Sequence, residues 1–256
     1  MTRPTTTDGR AAPAWQAILA MTSVELRLAI RRGETLVATA VLPVVVLVFF
    51  SSVSIVPIAS GRPVDFLLPG SIAFAIIATS LVSLGITTAY DRFYGVLKRL
   101  GGSPLSRAEL IAAKILAVLV VETVQVAVLV GAASVLLGWS APAGASVGLL
   151  VVAVLLGTLA FAGVGLLLAG TLRAETMLAV ANILFVASLI LGGVVMPIAQ
   201  LPAPLAAVAG ALPAAALSDV LRVALGTPGD VAGPLALLGG WGAASVGLAV
   251  TTFRWE

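Results

Sequence analysis

The sequence predicts an all-α membrane protein of six transmembrane helices, preceded by an amphipathic helix and carrying short helices at both membrane faces. Three observations predict it. The 256 residues are 60% hydrophobic and 10% charged, with a mean hydropathy of +1.17. Apolar runs recur at the roughly 20-residue length that crosses a hydrocarbon core of about 30 Å. The basic residues cluster from Arg3 to Arg32 and from Arg92 to Lys114, the asymmetry that cytoplasmic segments of polytopic proteins carry.

Composition also excludes chemistry. The chain has no Cys and no His. This removes disulfides, thiol nucleophiles, imidazole acid–base catalysis and the usual zinc sites. No G-x-x-x-x-G-K-[ST] segment occurs, so the chain binds no ATP through a P-loop. The pI near 10.0 follows from basic cytoplasmic loops, and no nucleic-acid partner is expected. The richness in Ala, Val, Gly and Leu suggests a GC-rich bacterial genome.

The elements follow in order. Residues 1–14 are polar and rich in Pro and Thr, and read as a disordered cytoplasmic tail with no cleavable signal pattern. Residues 15–32 read as an amphipathic helix. Trp15, Ile18, Leu19, Leu26, Ala29 and Ile30 share one face, while Gln16, Ser23, Arg27 and Arg31 fall largely on another. Such a helix lies in the lipid interface, and Gly33 permits a turn into the bilayer. Residues 15–256 then form one transmembrane domain with spans at 36–58, 66–89, 108–137, 144–171, 177–196 and 231–253. Pro43 is a kink site in span one. Ser106 and Glu109 form a capping box at the start of span three. The first apolar run reads as an uncleaved anchor.

Six crossings put both termini on one side. Of 14 Lys and Arg, only Arg62 and Arg222 fall in external loops, so that side is cytoplasmic. Small residues recur at four-residue spacing, Gly144/Gly148 and Gly239/Ala243/Gly247. They are expected to pack helices closely within the bundle rather than to form a dimer seam.

Residues 197–230 are apolar yet broken by Pro197, Pro202, Pro204, Pro213 and Pro228. Pro204 and Pro213 can each open a short helix, and Asp219 can pair with Arg222 three positions on. The segment reads as two external re-entrant helices. A plain external loop is the alternative, against which its apolar character argues.

On the cytoplasmic side, residues 90–102 read as a short helix ended by Gly101 and Gly102. Phe93, Leu97 and Leu100 would line one face, flanked by Arg92, Lys98 and Arg99. An apolar ridge with basic edges suits a groove on a soluble partner. A basic loop resting on lipid headgroups is the plainer alternative.

The pattern Asp91-Arg92-x-x-Gly95-x-Leu97-x-x-Leu100-x-x-x-Pro104-Leu105-Ser106-Arg107 resembles the coupling loop of type-2 ABC exporter permeases. Gly192, Gly193, Pro197, Leu201, Pro202, Pro213, Leu221 and Arg222 are similar to that family's signature around span five and its external helices. The resemblance covers nearly the whole chain and is nearest the daunorubicin-resistance type of multidrug efflux permease. Asp91 stands where many such sequences have Glu, which keeps the charge. The resemblance implies a permease paired with a second identical or homologous permease and docked to separate ABC ATPase subunits that hold ATP and Mg. It implies that Tyr90, Asp91, Arg92, Phe93, Tyr94, Gly95, Leu97, Lys98, Arg99, Leu100 and Pro104 form the ATPase-docking coupling helix and loop. It implies a bacterial plasma-membrane protein that exports its substrate and is not itself an enzyme.

Glu122 lies eight residues after Lys114, roughly 12 Å deeper at 1.5 Å per residue. A carboxylate at that depth needs a partner or water. Gln125 lies one turn along, and Asn182 in span five is another candidate partner. Two readings stay open: a polar spot in the substrate path, or a structural interhelical hydrogen bond. Arg173 and Glu175, in the tight loop between spans four and five, read as a cytoplasmic anchor or a second ATPase contact. An ion-coupled secondary transporter using Glu122 is the rival function, but it would need more buried ionisable groups and often an internal repeat. An intramembrane enzyme would need a second acid at the depth of Glu122. The few polar residues in the spans suit hydrophobic drugs, lipids or glycolipids.

Overall fold

The computed structural model describes residues 13–31, 33–53, 62–194 and 198–255. Regular structure among the described residues is entirely helical. Helix α1 is Ala14–Arg31 and α2 is Gly33–Ser52. Helix α3 runs Pro63–Phe93 through a π-helical segment, Ala78–Ser83. Then come α4 (Val96–Gly101), α5 (Arg107–Leu137), α6 (Val147–Thr171) and α7 (Ala174–Leu191). Helices α8 (Ala203–Gly210), α9 (Pro213–Ala224) and α10 (Ala232–Thr252) complete the chain.

Helices α3, α5, α6, α7 and α10 are long and apolar enough to cross a membrane. The bent pair α8–α9 makes a sixth if counted as one broken span. The expected first span falls on α2, whose apolar part is Thr39–Ser52, and its extension to Ile58 lies outside the described residues. Val195, Met196 and Pro197, the expected end of span five and part of the external signature, lie outside them too.

Local chemistry sets the helix ends. Ser106 Oγ accepts from the Glu109 amide at 3.2 Å while the Glu109 carboxylate accepts from the Ser106 amide at 2.7 Å. This reciprocal box opens α5. Gly138, at φ 62°, closes it in the left-handed region. Arg62, at the entry to α3, donates to the Leu137 and Gly138 carbonyls at 3.2 and 2.9 Å, placing a cation at the negative end of α5. Pro204 and Pro213 sit in the first turns of α8 and α9, where a missing N–H costs nothing.

The bundle core centres on α3, whose residues Leu67 to Ile77 are all buried. Helix α6 packs closely along α10. A Cβ on Gly163 would collide with Ser245 and come within 2.8 Å of the Val246 amide, and one on Gly242 would meet Leu159. Ser245 Oγ donates to the Ala160 carbonyl at 3.2 Å across this seam. The close packing therefore uses a different stripe from the one the spacing suggested. Gly239 and Gly247 have nothing within 4 Å, and Ala243 is exposed. The four-residue repeat was real, but nothing in it fixes which side of an all-apolar helix faces inward.

Candidate functional site

The α4 end of the bundle holds the family-like loop. Helix α3 ends at Phe93, and Gly95, at φ 72°, turns the chain through the left-handed region into α4. Residues 90–102 are thus two helical pieces rather than one helix. The break separates the expected ridge. Leu97 is 1% exposed and packs in a core with Leu110, Ile111 and Phe253, whereas Phe93 and Tyr94 are 62% and 69% exposed. Leu100 is half-buried, and Lys98, Arg99 and Pro104 are exposed. Leu97 accordingly anchors the loop to its own bundle and is corrected as a surface contact. The exposed apolar surface is an aromatic cluster, with Tyr90 and Tyr94 stacked at 6.0 Å and Phe93 edge-on to Tyr94 at 5.2 Å. A hydrophobic spacing of four marks a shared face only while the helix is unbroken.

Two ionic contacts fix the loop's base. Lys114 is buried and pairs with Glu25 of α1 at 2.7 Å and with Asp91 at 3.2 Å. Asp91 therefore reaches into the bundle, with its carboxylate still 19% exposed. Arg92 donates to the Leu172 carbonyl, tying the end of α3 to the loop before α7. Beside it Ala89, Phe93, Arg173 and Glu175 line a shallow depression. Thr22 adds a hydroxyl contact from α1 to the Ala113 carbonyl at 3.3 Å. These long-range partners carry no sequence signal, though a lysine seven positions into an apolar helix demanded a partner.

Deeper in the bundle, Glu122 is 1% exposed. Its carboxylate accepts from Ser80 of α3 and Thr158 of α6. Gln125 accepts from Thr79 at 3.1 Å and donates to Thr39 of α2 at 3.2 Å. These bonds join α2, α3, α5 and α6, and they satisfy a carboxylate and an amide that would be costly if unpaired. Asn182 is not part of this network. It is exposed on α7 and donates to the Leu178 carbonyl at 2.8 Å.

Asn182 instead lines an open groove between α2, α3 and α7, with Leu42, Phe74, Val82, Ile86 and Phe185. Thr39, Ser83 and Thr87 border both this groove and a second cleft that reaches Glu25 and Lys114. The groove is apolar with a few hydroxyl and amide groups.

At the opposite end, α8 and α9 meet at 77°. Arg222 pairs with Asp219 at 3.2 Å, donates to the Gly193 carbonyl, and lies 4.6 Å over the Phe66 ring. Gly193 stands at φ 65°, and Gly192 is buried with Ala214 against it. Pro213 is buried at the head of α9, while Pro202 is exposed before α8. Gly192, Gly193, Pro213, Asp219 and Arg222 thus come together, and Pro197 lies outside the described residues.

A multi-pass helical bundle with an apolar groove, a mid-bundle polar network and an anchored aromatic loop has the build of a membrane transport subunit. The family model for the ABC-2 type transporter matches residues 16–225, and the chain belongs to that family. No curated protein matches it. It is a multi-pass permease, the membrane part of an ABC transporter and not the enzyme of that system.

Proposed function

We propose that this permease exports a hydrophobic or amphipathic substrate, such as a drug, lipid or glycolipid, from the cytoplasm of a bacterium. A separate ABC ATPase, holding ATP and Mg, docks on the loop after α3 and drives the cycle. A second permease, identical or homologous, completes the membrane unit, and both termini face the cytoplasm. Helix α1, with Trp15, Leu19 and Ile30 exposed, lies against lipid headgroups. The groove between α2, α3 and α7 is the substrate path. The daunorubicin-resistance likeness makes a drug one candidate among these substrates.

One observation carries this reading. Phe93 and Tyr94 are strongly exposed on a loop whose neighbours Asp91, Arg92 and Leu97 are all tied into the bundle. Exposed aromatics on a rigid base are the make-up of an interface hot spot. The test is co-purification in mild detergent of the cognate ATPase with wild type and with Phe93→Asp/Tyr94→Asp. Loss of the ATPase from a double variant that remains monodisperse supports docking here. Full retention removes the loop from the interface. Leu97→Asp is unsuited to this test, because it would bury a charge in the bundle core.

A further inference from the structure

The π-helical segment interrupts α3 at the polar network. A π segment holds one residue more than the α ladder accommodates, and such segments recur at functional sites. Here Thr79 bonds Gln125, and Ser80 bonds Glu122. Two of the six residues of the segment are therefore held from α5, and Glu122 is itself held by Thr158 of α6. Helix α6 makes room for the widened turn with a glycine. A Cβ on Gly165 would come within 2.9 Å of the Ser80 carbonyl and 3.0 Å of the Leu81 carbonyl.

The two flanks of the segment differ. Toward α8 and α9, α3 is buried from Leu67 to Ile77. Toward α4 it ends at the exposed aromatic loop. Between the segment and that loop, Ile86 and Thr87 line the groove, as do Val82 and Ser83 within the segment. The extra residue can migrate along a helix without displacing either end. The residues it passes turn by about 100° and move about 1.5 Å along the axis. Migration toward the loop would sweep Leu84–Thr87 and exchange the side chains that face the groove.

The geometry points to Glu122 as a positioning residue for transport: by holding Ser80 it sets the register of the π segment, and migration of that segment converts movement of the Phe93–Tyr94 loop into a new groove lining. This rests on the reading of the chain as an ATP-driven permease. It resolves the two roles left open for Glu122. The carboxylate touches no groove surface, yet it acts on the residues that form one.

The chain has no cysteine, so Ile86→Cys gives a single thiol. The experiment reconstitutes this variant with its ATPase in nanodiscs. It measures the rate of reaction with a membrane-permeant maleimide, nucleotide-free and vanadate-trapped. The expected change in rate is about tenfold or more, as for a side chain moved between packed and open surroundings. Glu122→Gln, whose amide can bond both hydroxyls, keeps that change. Glu122→Leu reduces it to about twofold or less, as does deletion of Ala78, which returns α3 to an unbroken α ladder; ATPase association persists in both. A full nucleotide-dependent change in both variants overturns the proposal. So does an Ile86→Cys thiol, with Glu122 intact, that never responds in a complex that hydrolyses ATP, although the ATP-driven reading then stands. Failure of the Glu122-intact chain to bind or stimulate its cognate ATPase removes the ATP-driven reading and this proposal with it. If the deletion variant does not fold, the contrast between Glu122→Leu and Glu122→Gln decides.

Discussion

Replacing Lys114 by Met removes a cation that Glu25 and Asp91 share. Breaking a buried ion pair by removing one partner costs about 3–5 kcal/mol, chiefly for the charge left behind. The two carboxylates are 18% and 19% exposed, so water recovers part of that. A loss of about 2–3 kcal/mol is expected. At about 2–4 °C per kcal/mol for a chain of this size, Tm falls by roughly 4–12 °C. Asp91→Asn leaves the Lys114–Glu25 pair and a hydrogen bond from the ammonium to a neutral amide oxygen, and costs about 1 kcal/mol. The triple change Lys114→Met, Glu25→Leu and Asp91→Leu returns most of the stability, because well-packed apolar groups replace buried ions at little cost. The assay is thermal unfolding in one detergent, followed by tryptophan fluorescence and by retention of the monodisperse peak. A Lys114→Met protein that unfolds at the wild-type temperature would refute the reasoning, as would a triple variant less stable than the single one.

Other expectations test the packing. Gly163→Ala drives a Cβ into Ser245 and the Val246 backbone and should destabilise by about 1–3 kcal/mol. Gly239→Ala meets nothing within 4 Å and should be neutral, or stabilising by up to about 1 kcal/mol through helix propensity; equal Tm losses for the two would contradict the assigned seam. Gly95→Ala has open space but a φ of 72°, so it should cost about 1–2 kcal/mol from backbone strain alone, read as a small Tm shift. Arg222→Lys keeps the charge but loses the planar group that meets Asp219, Gly193 and Phe66 together. Its expected cost is about 2 kcal/mol, checked by thermal unfolding beside Arg222→Met.

What the sequence made legible is local. Ser106 and Glu109 announced the start of α5, Pro204 and Pro213 the starts of α8 and α9, and Gly101 the end of α4. Each signal acts within one turn of backbone. The Asp219–Arg222 pair was legible for the same reason, being three residues apart on one helix. What stayed hidden depends on side chains far apart in sequence. Nothing near Lys114 names Glu25, and nothing near Glu122 names Ser80 or Thr158. Asn182 was paired with Glu122 on polarity alone, and it faces the groove instead. Gly95 carried a usable signal, because a glycine within a short amphipathic run marks a break as readily as a continuation. The π segment was not legible: Thr79, Ser80 and Ser83 make Ala78–Ser83 more polar than the stretch before it, but hydroxyl residues in an apolar helix do not by themselves mark a π turn.

The assignment as an ATP-driven exporter is tested most directly in vesicles holding the permease with its ATPase, loaded with a fluorescent cationic or lipid-like amphiphile. Movement of the probe should require ATP, stop with vanadate, and continue when a protonophore collapses the ion gradients. Movement that ignores vanadate and stops with the protonophore would contradict it, and would make Glu122 the centre of an ion-coupled transporter.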